Sequence, residues 1–196
     1  KHAAGALGVK AELSWLDSSD YEEEPKKVHE LDHFDGVIVP GGFGGRGVLG
    51  KLAAIKYVRE HKIPYFGLCY GMQLLVVEYA RSVLGWQDAH TTEINPSTTH
   101  PVVDIMPEQL AHLRNRNYGG SMRLGTYPAK LKKGSLAEVA YGKIKIEERH
   151  RHRYEINPEN LADLSKAGLI FSAMSPDGVL AEIVELPTKV HPFFLA

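Results

Sequence analysis

Cys69 is the only cysteine in a chain of 196 residues, and it stands between two glycines in Gly67-Leu68-Cys69-Tyr70-Gly71. A thiol placed this way can serve as a nucleophile. To do so it must project from a tight, strained turn, and neighbours without a Cβ make room for that turn. G-x-C-x-G between a strand and a helix is the cysteine counterpart of the G-x-S-x-G nucleophile elbow. The helix that follows would aim its free N–H groups and positive end at the sulfur. That arrangement lowers a thiol pKa and offers an oxyanion hole to a tetrahedral intermediate. The bland alternative is an inert buried thiol, the common state of a free cysteine. The flanking glycines weigh against it. The motif alone does not separate amidases, peptidases and acyl-transfer enzymes.

A second glycine-rich stretch begins Pro40-Gly41-Gly42-Phe43-Gly44. One reading is a nucleotide-phosphate loop, but the spacing is not G-x-x-x-x-G-K-[ST]. A clean G-x-G-x-x-G with a downstream acid is missing too. A loop that turns backbone N–H groups toward the cysteine elbow from the adjacent strand explains the glycines better. Such a loop supplies a second oxyanion donor. A plain flexible turn is the remaining alternative.

Positioning both loops requires particular elements. Residues 36–39 (G-V-I-V) form a short apolar run that suits a strand buried on both faces of a parallel sheet. Residues 52–61 carry apolar side chains at helical spacing, and residues 64–68 (P-Y-F-G-L) read as a second short strand. Residues 72–84 are too long and too apolar for a typical strand and predict a largely buried helix ending at Gly85. The order strand, glycine loop, helix, strand, cysteine turn, helix is a βαβα unit. It argues for a parallel sheet covered by helices. Upstream, residues 11–16 (A-E-L-S-W-L) alternate and predict a half-buried strand. Downstream, residues 119–128 are turn-rich, residues 129–136 continue in that style, and residues 144–154 crowd several charges together. Residues 161–167 predict a short helix, and residues 169–172 and 180–186 a hairpin across Pro176-Asp177-Gly178.

Composition bounds the function. The chain is 43% hydrophobic and 24% charged, enough for one sizeable core, and a single domain over residues 1–196 is expected. A formal net charge of −1 gives no basic footprint for nucleic acid. No apolar run approaches the roughly 20 residues that span a bilayer, so no membrane partner is expected. One cysteine excludes an intramolecular disulfide framework and fits a reducing compartment. No metal site is expected. The start K-H-A-A-G-A-L-G lacks a Met and a signal peptide, which predicts a fragment of a longer cytoplasmic protein.

V-P-G-G-F-G at 39–44 and G-L-C-Y-G-M-Q at 67–73 resemble the class I glutamine amidotransferases. The resemblance narrows to the glutaminase domain of the CTP synthases. T-E-I-N-P at 92–96, H-P-V-V-D at 100–104, M-P-E-Q at 106–109 and G-G-S-M-R-L-G at 119–125 carry it. So do E-R-H-R-H-R-Y-E at 148–155, S-P-D-G at 175–178, E-I-V-E-L at 182–186 and H-P-F-F at 191–194. The segment 109–119 looks shorter than in many members. The implied fold is an α/β three-layer sandwich with a mostly parallel central sheet and the cysteine elbow at a strand's carboxyl end.

The resemblance implies that Cys69 attacks the side-chain amide of L-glutamine to form a γ-glutamyl thioester that water hydrolyses. It implies an oxyanion hole from backbone N–H groups of Gly42, with Gly41 beside it, and of Tyr70. Bacterial members usually carry Leu where Tyr70 stands; the contact runs through backbone, so the change is expected to be tolerated while reshaping the pocket wall. Gln73, Glu93 and Arg153, with the Tyr154 backbone nearby, map onto the groups that hold the substrate's ammonium and carboxylate. The charges agree with that task. Phe43 is more often core or pocket wall, and the resemblance puts it beside the glutamine site with a link to activation by GTP. A base role for His150 or His152 is disfavoured, because an Arg-flanked imidazole tends to stay neutral or exposed.

The resemblance places the general base and its orienting acid in an H-P-E segment after H-P-F-F, whereas this sequence reads H-P-F-F-L-A to Ala196. Residues 1–196 alone are therefore expected to hydrolyse glutamine poorly. An N-terminal synthetase domain using ATP, magnesium and UTP, with GTP as activator and a tetrameric assembly, is implied outside this sequence. No cofactor is expected within it. The alternative is a degenerate amidotransferase fold that binds or regulates without its His-Glu base. A γ-glutamyl or cysteine peptidase on the same fold is a third reading, disfavoured by the M-R-L-G and R-H-R-H-R-Y segments.

Overall fold

The computed structural model describes residues 1–105 and 122–196. M-P-E-Q at 106–109, the 109–119 segment and positions 119–121 lie outside the described residues.

The βαβα unit is present. β1 (Val37–Val39) leads through the glycine loop into α3 (Val48–His61). β2 (Tyr65–Gly67) leads through the cysteine turn into α4 (Tyr70–Ser82). Earlier come two short helices, α1 (His2–Ala6) and α2 (Asp20–Glu23). β1 and β2 pair in parallel, as a helical crossover between them requires. α3 starts four residues before the predicted 52. Gly47, in the left-handed region at φ 66°, turns the chain into it, and the Glu22 carboxylate accepts the first N–H groups from Leu49 and Gly50 at 2.8 and 3.2 Å.

The main sheet has seven strands in the order β1-β2-β10-β9-β8-β5-β6. The added strands are β5 (Arg123–Leu131), β6 (Lys145–His152), β8 (Ile170–Met174), β9 (Ala181–Glu185) and β10 (Phe194–Leu195). β10 pairs with β2 in parallel. The pairings from β10 outward to β6 are antiparallel, so the sheet is mixed rather than mostly parallel. The cause is connection length. β8 and β9 join through the short Pro176-Asp177-Gly178 turn, which permits only antiparallel pairing.

Side chains alternate across this sheet into two cores. Tyr65, Val184 and Phe194 join one; Phe66, Ile183 and Leu195 belong to the other. The first face is covered by α3, α4 and α6 (Leu161–Lys166), the second by α5 (Leu136–Tyr141). The sandwich is thus three-layered, with a thick layer and a thin one. α4 is buried on nearly all sides: Leu74, Leu75, Val76, Val77 and Ala80 are all sealed from solvent. Each such Leu or Val stabilises the fold by about 1.5–3 kcal/mol. Its one buried acid, Glu78, is held by the Arg59 guanidinium of α3 through bonds of 2.8 and 2.9 Å.

A small second sheet, β3 (His90–Thr91), β4 (Pro101–Ile105) and β7 (Tyr154–Ile156), packs against α4. Among the described residues no helix is long and apolar enough to cross a membrane.

Two sequence expectations need correction, and one ladder went unread. Residues 11–16 form no strand, and Trp15 is 89% exposed. An alternating segment becomes a strand only against a partner, and no described strand pairs with it. β1 is not buried on both faces, because Ile38 is exposed. The charge-crowded residues 144–154 and the turn-rich 122–131 form the longest ladder of the sheet, from Arg123↔His152 to Lys130↔Lys145. Their composition hid the ladder, since K-I-E-E-R-H-R-H offers little apolar alternation.

Candidate active site

Cys69 is the residue that caps α4, and it sits at φ 52°, ψ −99°. A non-glycine residue at positive φ stores strain of order 1–3 kcal/mol. The strain is held from several sides. The Leu68 N–H donates to the Val39 carbonyl at 2.9 Å, and the buried Tyr65 hydroxyl donates to the Gly71 carbonyl at 2.9 Å. The Cys69 carbonyl accepts from the N–H groups of Met72 and Gln73 at 3.0 and 3.1 Å, which starts the helix. The flanking glycines serve close approach. A Cβ on Gly71 would lie 2.2 Å from the Val39 oxygen, and one on Gly67 would lie 2.8 Å from the Ala196 Cβ.

The thiol is solvent-accessible, and the Tyr70 N–H donates toward it. That bond pulls the thiol pKa down, but burial on its protein side pushes it up more strongly. Glu155 and Glu93 add to the upward push. The net direction is upward, opposite to the lowering expected from the helix N-terminus alone. Desolvation is the main reason, with the nearby Glu155 and Glu93 carboxylates adding to it.

The glycine loop does face the elbow. A Cβ on Gly41 would lie 3.6 Å from the Cys69 Cβ, and one on Gly42 3.4 Å from the Tyr70 ring. The Tyr70 hydroxyl donates to the Gly44 carbonyl at 2.6 Å, and the Gly44 N–H donates to a Glu93 carboxylate oxygen at 3.3 Å. Glu93 follows β3 in the small sheet, where the Thr92 hydroxyl donates to Asp104 at 2.5 Å and the Glu93 N–H to the Thr91 hydroxyl at 3.3 Å. Gln73, one turn into α4 and 5% exposed, donates its side-chain amide to the Tyr154 carbonyl at 2.9 Å. Arg153 is half-buried directly before Tyr154, and its charge acts on the Tyr154 hydroxyl together with that of Glu93. Gly42, Cys69, Tyr70, Gln73, Glu93 and Tyr154 are thereby linked through hydrogen bonds, close contacts or field. Phe43 is 87% exposed, so it is neither core nor a closed pocket wall.

A cavity of about 740 Å³ opens on the far side of Cys69, over the second face of the sheet. Phe66, Leu68, Met72, Ile183 and Phe193 line it, with His150, His152 and Glu182 at its polar end. Gln73, Glu93 and Arg153 do not line it. Cys69 does line it.

Sequence reasoning gave no site role to the buried charges beside the cavity. Arg123 bonds Glu155 at 3.2 Å and Glu182 at 2.9 Å and stacks over Tyr127 at 4.4 Å. His150 and His152 share a bond of 2.8 Å, and His152 also reaches the Tyr154 carbonyl at 3.2 Å. Burial, His150 and Arg123 push the His152 pKa down to about 4, so it is neutral near pH 7. Burial pushes Glu155 up to about 7 despite Arg123. The signal available in sequence was a cluster of charges on strand-spaced residues. His191 is also no free base: it is 1% exposed, bonds the Val58 carbonyl at 3.1 Å and accepts from the Phe193 N–H at 3.2 Å. Among the described residues no group of three or more His, Cys, Asp or Glu side chains could hold a metal ion.

Comparison with known proteins gives the family. The family described as "Glutamine amidotransferase class-I" matches residues 1–193. The chain belongs to the class I glutamine amidotransferases. This amidotransferase chain is 49% identical over 197 residues to the CTP synthase of Listeria innocua, covering all of this chain and 36% of that protein. It is 50% identical over 203 residues to the CTP synthase of Pyrococcus furiosus, covering 99% of this chain and 37% of that protein. It thus spans little more than a third of the length of these relatives. A solved glutaminase domain of the Trypanosoma brucei enzyme, with bound acivicin, matches with a TM-score of 0.90 and 40% identity. That match covers all of this amidotransferase chain and 74% of the solved one.

Proposed function

We propose that this chain is the glutaminase unit of a CTP synthase and hydrolyses glutamine through a γ-glutamyl thioester on Cys69. The observation that carries the reading is the strained Cys69 at the start of α4, faced by the Gly41-Gly42 loop. As sulfur bonds to the amide carbon, the thiol proton passes to a base and the carbonyl oxygen takes the electron pair. The N–H groups of Gly42 and Tyr70 hold that oxyanion. The C–N bond then breaks, the nitrogen takes the proton, and ammonia leaves. Water attacks the thioester, releasing glutamate and the thiol.

Glu93 pairs with the substrate ammonium and Arg153 with its carboxylate, while Gln73 and the Tyr154 carbonyl shape the floor between them. Phe43 lies at the rim, where it contacts the substrate or the unit that receives ammonia. The base is assigned to the H-P-E segment that the family resemblance implies, not to His150, His152 or His191. The relatives' name and the third of their length that this chain spans support a synthetase unit in the same protein. That unit uses ATP and magnesium to aminate UTP, responds to GTP, and assembles as a cytoplasmic tetramer. Residues 1–196 themselves use no cofactor.

A diazo-ketone analogue of glutamine is expected to label Cys69 in the full natural chain and to leave Cys69→Ala unlabelled, read by mass spectrometry. In the same chain, Cys69→Ala is expected to abolish glutamine-dependent CTP formation while ammonia-dependent formation continues. An unlabelled Cys69 in a folded, unsubstituted chain would overturn the reading.

A further inference from the structure

We infer that Tyr70 is a positioning residue whose side-chain hydroxyl braces the glycine loop, so that the two oxyanion donors stay in register. The inference rests on the glutaminase reading above. Tyr70 contributes to the site twice. Its backbone N–H is one oxyanion donor, directed at the sulfur in the free protein. Its ring runs along the loop that carries the other donor, with Cδ1 3.4 Å from where a Gly42 Cβ would stand. The hydroxyl at the end of that ring donates to the Gly44 carbonyl at 2.6 Å.

The loop needs such a brace. Gly41, Gly42 and Gly44 have no side chains to anchor it, and Phe43 between them is 87% exposed. Gly44 itself sits at φ 76°, a conformation that favours glycine. Gly44 is also tied through its N–H to Glu93 at 3.3 Å. Glu93 is also the group assigned to the substrate ammonium, so that tie is contested once glutamine binds. The Tyr70 hydroxyl has no such competing task. Tyr70 is 2% exposed and packs in the main core, so its ring is fixed and can transmit the position of α4 to the loop. An oxyanion hole works only when its donors are already aimed at the developing charge.

The test is Tyr70→Phe in the full natural chain, which removes one oxygen and keeps the ring. Loss of a whole oxyanion donor costs about 10²–10³ in rate, so a misaimed one is expected to lower kcat for glutamine hydrolysis about tenfold. KM is expected to stay within about twofold, because the clamps for the substrate's charged groups are untouched. Alkylation of Cys69 by iodoacetamide, which builds no oxyanion, is expected to keep its rate. Amide exchange at Gly44, whose N–H donates to Glu93, is expected to quicken about tenfold, roughly the loss of one hydrogen bond. A kcat within twofold of the unsubstituted chain would overturn the inference. So would a parallel fall in kcat and alkylation, which marks a collapsed elbow. If the unsubstituted chain turns over no glutamine, the glutaminase reading fails on its own. The exchange rate at Gly44 still decides the brace.

Discussion

The thiol of Cys69 is pushed up by burial, pulled down by the Tyr70 N–H, and pushed up again by Glu155 and Glu93. In the free protein it is therefore held protonated near neutral pH. Iodoacetamide alkylation of Cys69 is expected to rise with pH to a midpoint above that of an ordinary thiol. Glu93→Gln removes one of the two nearby negative charges and is expected to move that midpoint down. A midpoint that stays put or rises would show that Glu93 does not act on the sulfur. In the proposed reading, a glutamine ammonium seated against Glu93 acts in the same electrostatic direction as this substitution, toward the thiolate.

At the scale of elements, the elbow is a packing problem as much as a conformational one. The strained backbone belongs to Cys69, while Gly67 and Gly71 let β1, α4 and Ala196 approach closely. In Gly71→Ala the new Cβ would sit 2.2 Å from a backbone oxygen of β1, so α4 or β1 must move. Overpacking of this kind costs about 1–3 kcal/mol. Chemical denaturation is expected to show that loss, accompanied by loss of glutamine turnover. Unchanged stability would mean that the elbow yields more easily than its hydrogen bonds suggest. Sequence alone located this turn within a residue or so, because glycine spacing and the apolar run of α4 are local signals. It missed the β5–β6 ladder, whose backbone pairs are satisfied while its side chains face a cavity and a buried charge network.

Across the whole molecule, that network ties β5, β6, β7 and β9 together, and it makes stability depend on pH in two opposing ways. Glu155 titrates at about 7, above the ordinary carboxylate value, because burial disfavours its charge. Its stabilisation is present at low pH and is lost as pH rises through about 7. His152 titrates at about 4, below the ordinary imidazole value, because it is buried beside His150 and Arg123. Its stabilisation is present above the ordinary imidazole value and is lost as pH falls through about 4. Between roughly pH 4.5 and 6.5 the two slopes oppose, each at most about 1.4 kcal/mol per pH unit. His152→Gln removes one rising slope while His150, also lowered by burial, keeps another, so the variant is expected to gain less stability, or lose more, than the unsubstituted chain as pH rises across this window. Denaturation free energies measured every half pH unit check this; a variant curve parallel to the unsubstituted one would contradict it.

The sequence by itself determined the cysteine turn, the facing glycine loop and the family, and it singled out Cys69, Gln73, Glu93 and Arg153 as candidates. These are local patterns, written in residue type and spacing along a short stretch of chain. Only the tertiary structure decided that the sheet is mixed and that residues 11–16 have no strand partner among the described residues. It also decided that the thiol is pushed up rather than down and that the Tyr70 side chain reaches Gly44. Each of those depends on what lies opposite a residue in space: a partner strand, a carboxylate, a carbonyl. In Gly67-Leu68-Cys69-Tyr70-Gly71 the two kinds of information meet, because the spacing announces the turn and the neighbours set its chemistry.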